Sequence, residues 1–335
     1  MKKKVSRRLS ILLAFVMLLS MFTFADSQKV NAANNNAAPA YNNNYTYYSV
    51  YNTIYKLDSK TGKSTEVFSL DDAFYVFDIS YYNGYLYFCA NFFLGTGGDE
   101  QYICRVRKDG TEFQKLCRGT NPIVYGGKVY FTKVKHMDDF DTTIGIGSMS
   151  LNGRDSKTLL NCKEATLAYR FAIVSDKIVF IINDNEKCSL KQYDLKNKKI
   201  RILKNNNYFG YIISYDKSNV YYSANQFVEC FNVAKKTGKK IENTDQSYFG
   251  GKDGKIYYSD YEARRTYEYN FNTGKKKLIK KNVFLYDVVY SKSGYNIYYN
   301  SLAFEEYQKN GMTTEAASMK ANGKGYRSLR KYYES

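Results

Sequence analysis

Acidic side chains set beside aromatic ones recur in five short polar stretches: NFFLGTGGDEQ (91–101), KVKHMDDFDTT (133–143), NDNEK (183–187), SDYEARR (259–265) and SLAFEEYQKNGM (301–312). They present Asp99, Glu100, Asp138, Asp139, Asp141, Asp184, Glu186, Asp260, Glu262, Glu305 and Glu306, with Phe92, Phe93, Tyr261, Phe304 and Tyr307 among them. Acids beside aromatics suit carbohydrate or cationic-peptide binding. Two carboxylates ~5–9 Å apart would meet the requirement for glycoside hydrolysis. A run such as DDFD offers oxygens to a cation such as Ca²⁺, although polar loops carry acids without any such role. The chain has a single histidine, His136, inside the second stretch. A Ser-His-Asp hydrolase needs a histidine base, and the nearby GIGSMS (145–150) lacks the G-x-S-x-G pattern of a nucleophile elbow. No catalytic residue, metal set or cofactor is assigned; the ligand-binding candidates are Asp99, Glu100, His136, Asp138, Asp139, Asp141, Asp260, Tyr261, Glu262, Glu305 and Glu306.

Lysine is concentrated elsewhere. KNKKIR (196–201), KKTGKK (235–240) and KKKLIKK (275–281) bring together Lys196, Lys198, Lys199, Lys235, Lys236, Lys239, Lys240, Lys275, Lys276 and Lys277. If these segments are neighbours in space they form one basic patch, suited to anionic envelope polymers or a membrane surface. Nucleic-acid binding would interleave such a patch with exposed aromatics and is not expected. Lysine also blunts edge strands, the plainer explanation of the same residues.

Both sets of residues are placed by a repeat. An aromatic phrase occurs seven times: YTYY (45–48), YLYF (85–88), KVYF (128–131), KIVF (177–180), NVYY (219–222), KIYY (255–258) and NIYY (296–299). The spacing is about forty residues, the period of β-propeller blades. A second marker runs in phase with it, a tight turn at KTGK (60–63), KDGT (108–111), LNGR (151–154), KNKK (196–199), KTGK (236–239), NTGK (272–275) and ANGK (321–324). Gly62, Gly110, Gly153, Gly238, Gly274 and Gly323 would supply the positive φ of a hairpin turn, with Asn197 as the substitute in the fourth repeat. The expected architecture is all-β: a seven-bladed β-propeller of four-stranded antiparallel blades over residues 45–335. In each blade a strand a precedes the aromatic strand b, strand c precedes the glycine turn and strand d follows it. Tyr47, Tyr87, Tyr130, Tyr221, Tyr257 and Tyr298 then pack between blades. The b–c loops with their acids share one end of the ring, and the lysine-rich c–d turns share the other. The first repeat begins at strand b, so its strand a must come from APAY (38–41) or from the C-terminal KYYES (331–335). The C-terminal segment is the favoured candidate, because it would join both chain ends in one sheet.

Ahead of the repeats, MKKKVSRR and the apolar LSILLAFVMLLSMFTFA have the layout of a secretory signal peptide over 1–32, with cleavage before Ala33; cleavage after Ala25 and an uncleaved membrane anchor are the alternatives. Residues 33–44 read as a low-complexity spacer. The chain carries 50 Lys and Arg against 32 Asp and Glu, a formal charge of +18, and it stays strongly basic without the signal segment. Six cysteines in an exported chain raise the question of disulfides. Cys89 and Cys104 fall on consecutive strands and could pair across them.

The stretches GKIYYSDYEARRTYEYNFNTG (254–274) and YLYFCANFFLGTGGDEQYICRVRKDGTEFQKL (85–116) resemble repeats of bacterial propellers related to the low-density-lipoprotein-receptor YWTD type. They are especially similar to the "prolow-density lipoprotein receptor-related protein 1-like" β-propellers. The resemblance covers about 45–330 and implies a binding module; the chain departs from the receptor pattern in having no tryptophan. The expectation is an exported, monomeric, non-catalytic protein of the cell envelope, secreted or surface-associated. A glycan or peptide would bind at the b–c end and an anionic polymer or membrane at the other. An extracellular carbohydrate-active enzyme and a scaffold for another envelope protein are the competing expectations.

Overall fold

The computed structural model describes residues 40–333, apart from 43, 94–98, 138–139, 164–165, 185–186, 225, 243–246, 261 and 302–312. The chain is a seven-bladed β-propeller. Blade 1 is β1 (Ala40–Tyr41), β2 (Tyr45–Val50), β3 (Thr53–Asp58) and β4 (Ser64–Ser69), and blade 2 is β5 (Ala73–Tyr82), β6 (Tyr85–Phe93), β7 (Asp99–Arg107) and β8 (Gln114–Arg118). Blade 3 comprises β9 (Thr120–Tyr125), β10 (Lys128–Met137), β11 (Phe140–Ser150) and β12 (Lys157–Asn161). Blade 4 comprises β13 (Leu167–Val174), β14 (Lys177–Asp184), β15 (Lys187–Asp194) and β16 (Ile200–Asn206). Blade 5 follows with β17 (Tyr211–Tyr215), β18 (Asn219–Ala224), β19 (Phe227–Asn232) and β20 (Thr237–Glu242). Blade 6 has β21 (Ser247–Lys252), β22 (Lys255–Asp260), β23 (Arg265–Asn270) and β24 (Lys275–Lys281); blade 7 has β25 (Phe284–Val289), β26 (Tyr295–Ser301), β27 (Thr313–Lys320) and β28 (Arg327–Tyr333). Every sheet is antiparallel and in sequence order, so each blade is one contiguous segment.

That contiguity corrects the expected ring closure. β1 supplies strand a of blade 1, pairing Ala40 with Tyr47 and Tyr41 with Thr46. The C-terminal strand is instead strand d of blade 7, with Thr313 opposite Tyr333. The ring closes through side chains. Tyr48 and Leu57 of blade 1 pack with Val289, Ile297 and Ala316 of blade 7, and the Tyr299 hydroxyl donates to the Ser49 carbonyl at 2.9 Å.

The aromatic strands are the blade-stacking strands. Tyr47, Tyr87, Tyr130, Tyr221, Tyr257 and Tyr298 are all buried, as is Val179 at the same place in blade 4. Their hydroxyls reach polar partners between blades where geometry allows. Tyr87 donates to the Leu151 carbonyl of blade 3 at 3.1 Å, and Tyr221 donates to Asp216 at 2.8 Å while accepting from the Gly254 amide of blade 6 at 2.7 Å. Tyr257 and Tyr298, on adjacent blades, meet edge to face with centroids 5.9 Å apart, a favoured aromatic geometry.

The c–d turns carry a second inter-blade constraint. Gly110 has φ of 90°, and a Cβ there would lie 2.3 Å from the Val67 carbonyl oxygen in the preceding blade. Gly323 repeats this against the Ile279 oxygen at 2.0 Å. These turns therefore need glycine for both backbone conformation and close approach. Two positions depart from the expected pattern. In blades 4 and 5 the positive φ falls on Lys198 and Lys236 rather than on Asn197 and Gly238. Gly238 is small for another reason: a Cβ there would sit 1.9 Å from a carboxylate oxygen of buried Glu229. That carboxylate is neutralised by Lys204 of blade 4 at 2.7 and 2.8 Å and accepts from Tyr222 at 2.5 Å.

All six cysteines are free thiols. Cys89 stands opposite Ile103 and Cys104 opposite Phe88. The two cysteines are thus one residue out of register and point to opposite faces of the sheet, which prevents the cross-strand disulfide.

Two outcomes test this packing. Gly84, with φ of 88°, has nothing within 4 Å of its Cβ position, so Gly84→Ala should cost only the backbone strain of about 1–2 kcal/mol. Gly110→Ala should cost clearly more in urea unfolding, because blades 1 and 2 must also separate; equal losses would remove the turn from the inter-blade contact. Burial pushes the thiols of Cys104, Cys117 and Cys230 up to about 12. They should therefore resist a disulfide reagent in the native protein at mildly alkaline pH, and all six should react once it is unfolded.

Candidate functional site

The b–c hairpins and the d–a connections emerge at one end of the ring. Among the described residues the large exposed aromatics are Phe74, Tyr75, Phe93, Tyr169, Phe209, Tyr211 and Tyr295, and all but Tyr295 lie at this end. An exposed ring on a folded surface forgoes the burial it would have in a core, so their concentration at one end is informative. Phe93 is 57% exposed and meets Phe74 edge to face at 5.3 Å. Tyr75 stacks on Tyr51 at 5.6 Å. Phe74 and Phe93 border a cleft of about 570 Å³ at the start of blade 2, lined by Asp71, Asp72, Phe74, Phe92, Phe93, Glu100, Tyr102 and Lys115. The Lys115 ammonium lies 3.4 Å from the Phe92 ring centroid, a cation–π contact that fixes one wall. Glu100 forms an ion pair with Arg118. Asp71 and Asp72 are exposed.

The loops expected to hold the acids are shorter than anticipated, because the strands run further. Asp99 and Glu100 lie in β7 opposite Phe93 and Phe92, and Asn91 donates to Asp99 at 2.9 Å. His136 is in β10 directly opposite Asp141 in β11, with Nδ1 and Oδ1 3.2 Å apart. The second Asp141 oxygen accepts from the Gln101 amide of blade 2 at 2.9 Å. The Asp141 side chain is 3% exposed, so it ties blade 3 to blade 2. Asp260 ends β22 and accepts from the Ala263 amide at 2.9 Å, closing its own hairpin; Glu262 is exposed beside it. Asp184 lines a smaller cleft of about 300 Å³ with Lys163 and Lys191. Asp138, Asp139, Tyr261, Glu305 and Glu306 lie outside the described residues. Of the predicted ligand residues, the larger cleft takes in Glu100, and Asp99 stands next to it.

Two groups escaped the sequence reading. The first is Asp71, Asp72, Phe74 and Tyr75 on the d–a side, although DDAFY (71–75) has the same pattern of acids beside aromatics and was open to detection. The second is a set of charges on the innermost strands, where Asp78, Arg170 and Asp287 interact. Among the described residues no group of three or more His, Cys, Asp or Glu side chains converges as a metal set.

The predicted basic residues are all exposed. Lys196, Lys198 and Lys199 occupy the c–d turn of blade 4, and Lys235 and Lys236 that of blade 5. Lys239 and Lys240 belong to β20, and Lys275, Lys276 and Lys277 to β24. The patch therefore spreads from the turns onto the outermost strands, the reverse of a flat basic end face. Neighbouring blades join here, since Lys239 reaches the Asn272 carbonyl of blade 6 at 3.5 Å. Some of the lysines are held on aromatic rings: Lys240 on Phe227 at 3.5 Å and Lys276 on Tyr267 at 3.9 Å. Lys196 pairs with Asp176 at 3.3 Å.

No protein-family model matches the chain, and no curated protein matches it in sequence. Solved structures do match in shape. A chain from a structural and mechanistic study of prolyl endopeptidases shares 11% identity and a TM-score of 0.60, with 91% of this chain covering 51% of that one. A puromycin-hydrolyzing peptidase of Mycobacterium tuberculosis shares 10% identity and a TM-score of 0.59, covering 90% of this chain and 54% of the peptidase. A nidogen/laminin complex shares 12% identity at a TM-score of 0.46, over 69% of this chain and 91% of the matched one. The chain spans about half the length of the two peptidases, and likeness at these identities shows the propeller fold alone.

If the Asp141 carboxylate is a tie between blades, Asp141→Asn should lower the unfolding temperature. It leaves the Gln101 amide with an acceptor but weakens the contact with His136, so a loss of about 1–2 kcal/mol is expected. An unchanged melting curve would remove Asp141 from the inter-blade contacts.

Proposed function

We propose that this protein is an exported, non-catalytic binding propeller of the cell envelope whose aromatic and acidic end takes a glycan. One observation carries the reading: the exposed rings of Phe74 and Phe93 gather around a cleft edged by Asp71, Asp72 and Glu100. Flat rings cover the apolar faces of sugars, and carboxylates accept from their hydroxyls; this cleft offers both in about equal measure. The resemblance of its repeats to receptor-related propellers agrees with binding rather than catalysis, while fold alone permits either. The basic rim of blades 4 to 6 favours retention on anionic wall polymer or a membrane surface. The leader-like segment at 1–32 motivates the secreted or surface-associated location, and a monomer is proposed.

Binding to an array of envelope glycans tests the cleft. Phe93→Ala and Phe74→Ala should each weaken binding about tenfold, the effect of losing about 1.4 kcal/mol. Unchanged affinity in both variants, or no binder in the array, would overturn the proposal. Release of sugar products, lost on replacing Asp71, Asp72 or Glu100 singly, would put a hydrolase in its place. For the rim, retention on purified cell wall should fall steeply with salt, and replacing Lys239, Lys240, Lys276 and Lys277 by glutamine should lower it at fixed salt. Retention indifferent to both would remove the rim from the function.

A further inference from the structure

The seven innermost strands are β1, β5, β9, β13, β17, β21 and β25, which line the central axis. They hold four charged residues: Asp78, Arg170, Lys252 and Asp287. Lys252 ends its strand and lies over the Tyr290 ring at 4.9 Å. The other three come from blades 2, 4 and 7, no two of which are neighbours. Even so, an Arg170 nitrogen lies 3.7 Å from Asp78 Oδ1, and the charges of Arg170 and Asp78 both act on Asp287. Side chains from non-adjacent blades can meet in this way only across the axis. The backbone helps: β5 and β25 break register around these residues, between Phe77 and Ser80 and between Leu285 and Asp287. Asp78 itself has φ of 52°, a conformation uncommon outside glycine and found more readily for aspartate.

The cluster is unbalanced. Two carboxylates face one guanidinium, and the Asp78 side chain is 4% exposed. Among the described residues its Oδ2 has no hydrogen-bond partner. A buried carboxylate oxygen without a donor is costly, so the site as built calls for one more positive charge. A divalent ion would leave an excess beside Arg170. We propose that the central channel binds one compact monovalent cation between Asp78 and Asp287, next to the Arg170 guanidinium.

A proton competes for the same place. Burial pushes the Asp287 carboxyl up to about 7, against the opposing pull of Arg170, and burial also raises Asp78. The other titratable groups facing them are the Cys89 thiol and the Tyr169 phenol near Asp78, and the Tyr290 and Tyr299 phenols near Asp287. All four are pushed upward by burial and stay neutral around pH 7. The raised Asp287 means that the folded chain holds a proton that the unfolded chain gives up near pH 4. Its stabilising contribution is complete below that point and is lost as pH rises toward 7. Above pH 7 a bound cation takes the proton's role, and its affinity should be about tenfold higher near pH 8 than near pH 6, in step with ionisation of Asp287.

The test is thermal unfolding of the full chain at constant ionic strength in sodium, potassium, ammonium or choline chloride. At least one of the small cations should raise the melting temperature over choline near pH 8, and the advantage should vanish near pH 5. Asp287→Asn, which keeps the shape and removes the charge, should abolish both the cation dependence and the extra pH slope. Equal melting temperatures in all four salts near pH 8 would overturn the proposal, as would full cation dependence in Asp287→Asn. If that variant fails to fold, the native chain supplies the answer. Adding the stabilising cation near pH 7 in weak buffer should release protons, choline should release none, and no difference between them would equally overturn it.

Discussion

Every blade must approach its neighbours face to face, and the space between them is set by what the central strands bury. Tyr87, Tyr221 and Tyr298 fill that space while their hydroxyls bond to the next blade or within their own blade. The same spacing leaves almost no room at the c–d turns, where Gly110 and Gly323 lie against carbonyl oxygens of the preceding blade. Large rings inside and bare backbone at the rim are two results of one packing distance. This distance also explains how a ring made of contiguous blades stays closed without a shared strand. Blades 7 and 1 meet through Tyr48, Ile297 and the Tyr299–Ser49 bond, as any other pair does.

With the blade faces committed to stacking, functional groups are confined to the two ends, the outer edge and the axis. The two ends differ because their connections differ. The b–c hairpins and d–a connections carry acids and the exposed rings, whereas the lysines occupy c–d turns and outer strands. Lysine on an outermost strand discourages edge-to-edge pairing and supplies the basic rim from the same residues. Buried charge between blades is handled by pairing. Glu229 is neutralised by Lys204 and bonded by Tyr222, and Gly238 is small to make room for it. The axis is different, since three charges from non-neighbouring blades face one another there without balancing.

Much of the candidate site was legible as pattern and less of it as position. Phe93 and Glu100 were visible as an aromatic and an acid in one polar stretch, and both border the cleft. His136 and Asp141 were visible too, but their strands run further than the polar composition suggested. Their side chains consequently form a cross-strand pair, with Asp141 spent on holding blade 3 to blade 2. Asp71 to Tyr75 shared the telling composition yet sat outside the b–c stretches, and only the direction of the strands puts that connection at the same end.

The amino-acid sequence by itself determined the blade number, the order of strands and the identity of the stacking residues. Those depend on local periodicity, on aromatic strands and on tight turns, all of which recur in phase every forty residues or so. Tertiary structure alone decided which chain end completes blade 1, that Cys89 and Cys104 point apart, and that Lys198 and Lys236 take the positive φ. It also decided that Asp78, Arg170 and Asp287 converge. The last follows from closure of the ring: residues far apart in sequence and on blades that never touch become neighbours only when seven innermost strands surround a common axis.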